Sequence, residues 1–224
     1  MTNLTLAAVA FAAMHLLISG TRLRDVLVAR LGEARYRGLF SLASAVVLGW
    51  LIWAYSMARL PSLTPLIDWR WLGAVLNFVA FTFIVLGLLT VGPTLVGAEK
   101  LLAKGVEARG VHRITRHPFL WGVALWAAVH LAFNPETANL LFFGTFVLVA
   151  AAGTFSLDAK RARLYGESWQ RYAAQTSNLP FAAIVQGRNR LAVGELGWGK
   201  LAAAAAAYAA FAVLHARFFG LPPF

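Results

Sequence analysis

Cysteine is absent from this 224-residue chain, which rules out disulfides, zinc or iron–sulfur sites held by thiolates, and haem attached through a C-x-x-C-H motif. The redox compartment is thereby left open. Acidic residues are also scarce, nine Asp and Glu against 20 Lys and Arg. The long apolar runs offer no carboxylate apart from Asp158 at the end of one of them, so the ligand set for a catalytic zinc or di-iron centre is poor. Gly/Ser linkers and low-complexity tracts are missing, and with them any sign of a second, soluble domain.

What the chain has in abundance is apolar surface: 60% of its residues are hydrophobic and 13% are charged. That balance is the mark of a multipass membrane protein. A net charge of +11 would suit nucleic acid, but the cations gather in loops between apolar runs, where they set topology, so nucleic acid is set aside. The N-terminal run lacks a basic n-region, carries His15 and leads directly into further runs, which makes it a first helix and not a signal peptide.

Apolar windows and their polar punctuation predict an all-α polytopic helix bundle, one domain over residues 1–224, with about six spans near 3–20, 39–58, 71–91, 119–133, 139–157 and 201–219. The fourth, about 15 residues or roughly 22 Å, is short for a crossing and needs extension or burial in the bundle. The sixth contains six consecutive alanines, Ala202 to Ala207, suited to close packing within the chain or between subunits of a homo-oligomer. Connections one, three and five carry 17 of the 20 basic residues; retention of Lys and Arg on the inner side predicts a bacterial inner-membrane protein with both termini outside. Trp50, Trp53, Tyr55, Trp69 and Trp71 cluster at the second connection, as headgroup-level anchors do. The stretch from Asp158 to Ala174 reads as a basic amphipathic helix along the inner surface.

Three of the five histidines fall inside spans: His15 in the first, His130 in the fourth and His215 in the sixth. An intramembrane imidazole is either a neutral group bonded across helices or a functional one. Three in one bundle point to ligation, and two imidazoles from different helices suffice for haem b, whose porphyrin supplies the other four nitrogens. Counted from the inner ends, His130 lies roughly 18 Å deep, His215 roughly 21 Å and His15 about 8 Å, or about 15 Å if the first span runs on to Asp25. Depth alone therefore leaves His130 with His215 and His130 with His15 both open. Gly122, Trp126 and His130 share one face of the fourth span at i, i+4 and i+8, which admits a planar ligand or simply marks a helix crossing. Ahead of that span, Arg113, Arg116 and His117 precede Pro118; a proline-started helix mouth flanked by arginines suits a propionate, phosphate or carboxylate, although inward anchoring explains the arginines too.

"RITRHP" followed by "GVALWAAVH", together with "HLLISGTRLR" at the end of the first span, resembles the NnrU family of bacterial membrane proteins and the plant 15-cis-zeta-carotene isomerases related to it. The resemblance implies haem b in the isomerase branch, with axial ligands at His15 and His130, and for the bacterial branch a link to nitric oxide and nitrite metabolism in denitrification. Where the isomerase carries a cysteine three residues before the second ligand, this chain has Ala127, so any mechanism using that thiol is closed to it. "RHPFLWG" and "DAKRARLYGESWQRYAAQTSNLPF" also resemble membrane methyltransferases that use S-adenosylmethionine, implying a rival cofactor site at Arg116, His117 and Asp158. There a Glu-Glu pair completes the site; here Asp158, Ala159 and Lys160 stand in its place. The expectation is a haem-b protein with a redox or isomerase role toward a small or apolar ligand. The rivals are a methyltransferase and a non-enzymatic haem or assembly accessory protein.

Overall fold

The computed structural model describes residues 1–58, 70–95, 97–98, 100–134 and 136–220; Trp69 lies outside them. Every expected apolar window forms a helix, and the described residues contain no strand. In chain order the helices are α1 (Thr2–Ala13, continued by a π-helical turn Met14–Ile18), α2 (Leu23–Leu31), α3 (Glu33–Ser56), α4 (Arg70–Leu89), α5 (Lys100–Ala103), α6 (Pro118–Phe133), α7 (Thr137–Gln175), α8 (Ala182–Val185) and α9 (Trp198–Phe219). Four of them are long and apolar enough to cross a membrane, and the α1/α2 pair makes a fifth if counted as one broken span. The remaining helix of the expected six, α6, has 16 residues.

Length explains the place of α6. At about 1.5 Å per residue it reaches only ~24 Å, short of a ~30 Å hydrocarbon core, and it lies between α4 and α7, the two helices it packs on most extensively. Small residues permit this. A Cβ on Gly122 would come within 2.8 Å of the Ala80 carbonyl oxygen and the Ile84 amide nitrogen of α4. On the other side Ala127 is fully buried in a core with Phe142 and Phe143 of α7 and Leu4, Ala7 and Phe11 of α1. Neighbour follows neighbour in the order α3, α1, α7, α6, α4, α9. Large apolar side chains such as Leu42, Val46, Val213 and Phe218 point out from this array. An apolar surface of that extent belongs in lipid.

Two expectations about helix ends change. The first span does not run straight to Asp25: α1 stops at the π turn and α2 leaves at 77°. Ser156 Oγ of α7 donates to the Gly20 carbonyl at 3.0 Å, pinning the chain where it bends. The basic stretch from Asp158 is not a separate surface helix at its start. α7 continues through it and breaks only at Gly166 (φ 46°, ψ −123°). From Thr137 to that break the helix measures about 43 Å, well over the ~30 Å hydrocarbon core, so the part beyond Leu157 stands outside the membrane. Trp169 and Tyr172 are then buried against Leu102 and Ala108; the apolar face of the stretch is covered by protein. Among the expected aromatic anchors, Trp53 and Trp71 are exposed, whereas Tyr55 packs inward and donates its hydroxyl hydrogen to Asn139 Oδ1.

The α4/α6 crossing yields a prediction. Gly122→Ala places a methyl against rigid backbone and should destabilise the protein by about 1–3 kcal/mol. Gly144→Ala, where the nearest atom is Leu140 Cδ1 at 3.8 Å, should be close to neutral. Thermal unfolding of both variants in detergent, followed by tryptophan fluorescence, checks the contrast.

Candidate functional site

Two groups of predicted residues occupy different levels of the molecule. At the basic end, the "RHP" block ends a short connection and starts α6. Pro118 takes the first helical position, where its missing N–H costs nothing, and His117 precedes it in a non-helical conformation. Asp158, one residue beyond the apolar half of α7, faces both members of the block. Arg116 Nη2 donates to Asp158 Oδ2 at 2.7 Å and Nε donates to both carboxylate oxygens at 2.9 and 3.1 Å. His117 Nε2 donates to Oδ1 at 2.7 Å, and Asn178 Nδ2 donates to Oδ2 at 2.9 Å. The guanidinium also lies 5.6 Å from the centre of the Trp169 ring. Burial pushes the Asp158 carboxyl up, but hydrogen bonds from His117 and Arg116 outweigh it and hold the group well below its ordinary value of 3.8. Burial pushes the His117 imidazole down from 6.5, leaving it the neutral donor of its pair.

Arg113 does not join this group. Its Nε and Nη2 donate to Glu195 at 2.8 and 2.9 Å, and Nη1 donates to Asn189 at 2.8 Å, so it ties the entry to α9 against the segment before α6. That hydrogen bonding, with help from the Gly110 amide, draws the Glu195 carboxyl down to about 2. His112 is buried and donates from Nε2 to the Thr90 carbonyl at 3.1 Å. Gly92 is required there, because a Cβ would fall on the His112 ring.

Within the membrane, His15 and His130 are held in the same way. Each donates from Nδ1 to the carbonyl four residues earlier in its own helix, Phe11 for His15 and Trp126 for His130, both at 2.8 Å. This fixes the tautomer that leaves the Nε2 lone pair outward, the form in which a neutral imidazole binds a metal. Nε2 of His15 is met by Ser44 Oγ at 3.3 Å; among the described residues no hydrogen bond reaches Nε2 of His130. His15 sits in the π turn Met14–Ile18, an irregularity that recurs at functional positions. The donor chemistry of each residue, taken singly, suits imidazole ligation of a metal.

Their helices are not neighbours, however. α7 stands between α1 and α6, and its aromatic rings fill the interval: Phe143 stacks on His130 at 4.5 Å, and Phe146 meets Phe11 at 5.5 Å and Trp126 at 5.7 Å. His215 lies on α9, across α4 from α6, within electrostatic reach of His130. Trp126 shares the His130 surroundings, 5.0 Å between rings; Gly122 is committed to the α4 crossing.

The sequence model of the NnrU protein family matches residues 3–223. This chain belongs to the NnrU family. It is 29% identical to the chloroplastic 15-cis-zeta-carotene isomerase of Arabidopsis thaliana over 187 residues, 81% of this chain and 50% of that protein. It is 34% identical to the chloroplastic 15-cis-zeta-carotene isomerase of Zea mays over 91 residues, 37% of this chain and 22% of that protein. The NnrU chain thus spans half or less of the length of these relatives. No solved structure matches it.

Several residues at both levels of this NnrU protein carry no local sequence signal. Ser44 reaches His15 and Phe143 reaches His130 from other helices, Phe146 meets Phe11 and Trp126 beside them, and Asn178 reaches Asp158 across a 20-residue separation. The Thr115 hydroxyl and the Trp121 indole both donate to the Asn178 carbonyl, locking that loop over the start of α6. Asp158→Asn should destabilise the protein by about 3–5 kcal/mol at pH 7, because Arg116 is left without its buried counter-charge. A carboxyl whose folded value lies below 3.8 contributes stability that is complete above that pH and is lost as pH falls below it. The gap between wild type and variant should therefore narrow on acidification, which unfolding curves at pH 7, 5 and 3 would show.

Proposed function

We propose that this protein is a haem-b-binding integral membrane protein of the bacterial inner membrane that isomerises a double bond in a membrane-dissolved apolar molecule, and that His15 and His130 would hold the haem. The observation that carries the reading is the matched tautomer of the two intramembrane imidazoles, each presenting Nε2 from a helix-fixed ring. The name of the curated relatives supports isomerisation over other haem chemistry. So does the apolar, aromatic surround of His130, formed by Trp126 and Phe143.

When bound, haem b would supply a redox-active iron that can exchange an electron with a bound ligand. The protein's own contributions are positional. The Trp126 carbonyl holds the His130 ring against rotation, the Phe11 carbonyl does the same for His15, and Phe143 and Trp126 exclude water from the His130 face; Ser44, which meets Nε2 of His15, would yield that nitrogen to the iron. Arg116 and His117 are engaged by Asp158, so in this reading they set the start and tilt of α6 and thereby the placement of His130. Arg113 acts similarly through Glu195.

Purified protein from haem-replete cells should show a Soret band that disappears in His130→Ala and His15→Ala. Loss in His215→Ala with survival in His15→Ala would transfer the second ligand to α9. A colourless protein that binds S-adenosylmethionine would replace the proposal with methyl transfer. Haem-loaded protein that consumes nitric oxide and isomerises no polyene would move it to redox chemistry in denitrification. Loaded protein inert toward both would be an accessory factor.

A further inference from the structure

Where α7 leaves the membrane, a cavity of about 400 Å³ opens between Phe155 and the loop that follows the helix. Its walls differ in chemistry. One side is apolar, with the exposed side chains of Phe155, in the last apolar turn of α7, and Leu179. The other side carries Arg116, Arg188, Gln186 and Asn178. Arg116 gives Nε and Nη2 to Asp158, while Nη1 makes only a 3.4 Å contact with Thr176 Oγ1. Arg188 bonds to neutral acceptors alone, the carbonyls of Ala173, Ala174 and Thr176 and the Gln186 side chain, so its charge has no carboxylate opposite it among the described residues. Asn178 turns its amide nitrogen to Asp158 and keeps a buried Oδ1 with no partner.

From these walls we infer that the cavity binds one anionic glycerophospholipid whose phosphate carries a hydroxyl-bearing head. The phosphate meets Arg188 and Arg116 Nη1, charge-assisted donors suited to phosphate oxygens. A head hydroxyl satisfies Asn178 Oδ1, which is costly to leave unpaired. The acyl chain follows Phe155 and Leu179 into the bilayer. A free phosphate would use the arginines but leave the apolar wall empty. A choline head is neutral overall with its phosphate and has no donor for Asn178. Basic pockets at this level of a membrane protein recognise anionic heads for the same electrostatic reason. The inference is independent of haem, since none of the intramembrane histidines lines the cavity.

The test is native mass spectrometry of the full-length protein in detergent, titrated with phosphatidylglycerol, phosphatidylcholine or inorganic phosphate. One phosphatidylglycerol should bind per chain, about tenfold tighter than phosphatidylcholine, a difference of about 1.4 kcal/mol. Inorganic phosphate in large excess should not displace it. Leu179→Glu, at an exposed position whose side chain makes no hydrogen bond, should abolish the preference with an unchanged melting temperature; Arg188→Gln should abolish it as well. Equal binding of the two lipids, or a preference that survives Leu179→Glu, overturns the site. Displacement by inorganic phosphate overturns the lipid assignment in favour of a free anion.

Discussion

The Asp158 carboxylate organises the basic end of the molecule. It sits where α7 passes out of the apolar layer and takes hydrogen bonds from Arg116, His117 and Asn178, which belong to segments far apart in the chain. A half-buried carboxylate and a half-buried guanidinium would each be expensive alone. Together, with a neutral imidazole and an amide completing the shell, they fix the start of α6 to the side of α7. The loop after α7 closes over the pair through the Arg116 amide donating to the Ser177 carbonyl and the Phe181 amide donating to the Ile114 carbonyl. α6 is too short to be held by the bilayer, so its depth and rotation are set by this clamp at one end and by glycine-mediated contact with α4 along its length.

That mechanical role gives a different meaning to the arginine block. Arg113 and Arg116 lie three residues apart in sequence yet serve different partners, Glu195 ahead of α9 and Asp158 of α7. Both couple segments outside the membrane to helix α6, and His130 is carried by that helix. Any ligand at His130 therefore depends on residues more than a dozen positions away through the rigidity of one helix. Rings from α7 fill the interval between the helices of His15 and His130, Phe146 against Phe11 and Phe143 against His130.

Much of the architecture was legible because lipid imposes a simple rule: a long apolar run with no carboxylate becomes a helix. All six windows obeyed it, and the shortness of the fourth pointed to its burial. The bend after the first helix was not legible, since Arg22 and Arg24 are as compatible with snorkelling from a straight span as with an in-plane helix. The choice was made by Ser156 of α7 bonding the Gly20 carbonyl. The continuity of the segment from Asp158 with the preceding span was hidden for a related reason. Its charges suggested a surface helix, but a helix propagates through charged residues as readily as apolar ones and ended its regular course only at Gly166, where the backbone takes a positive φ.

By itself the sequence determined that this is an all-helical chain built for a membrane, that thiol chemistry is closed to it, and that its metal-binding capacity inside the apolar layer rests on imidazole. These follow from residue type and spacing, which act locally. Which imidazoles stand near one another, and which cation meets which carboxylate, was decided by tertiary structure. The order of helices in the array is set by where small residues allow backbones to approach, as at Gly122 and Gly87, and such approach depends on the matching surface of another helix. No stretch of sequence contains that partner.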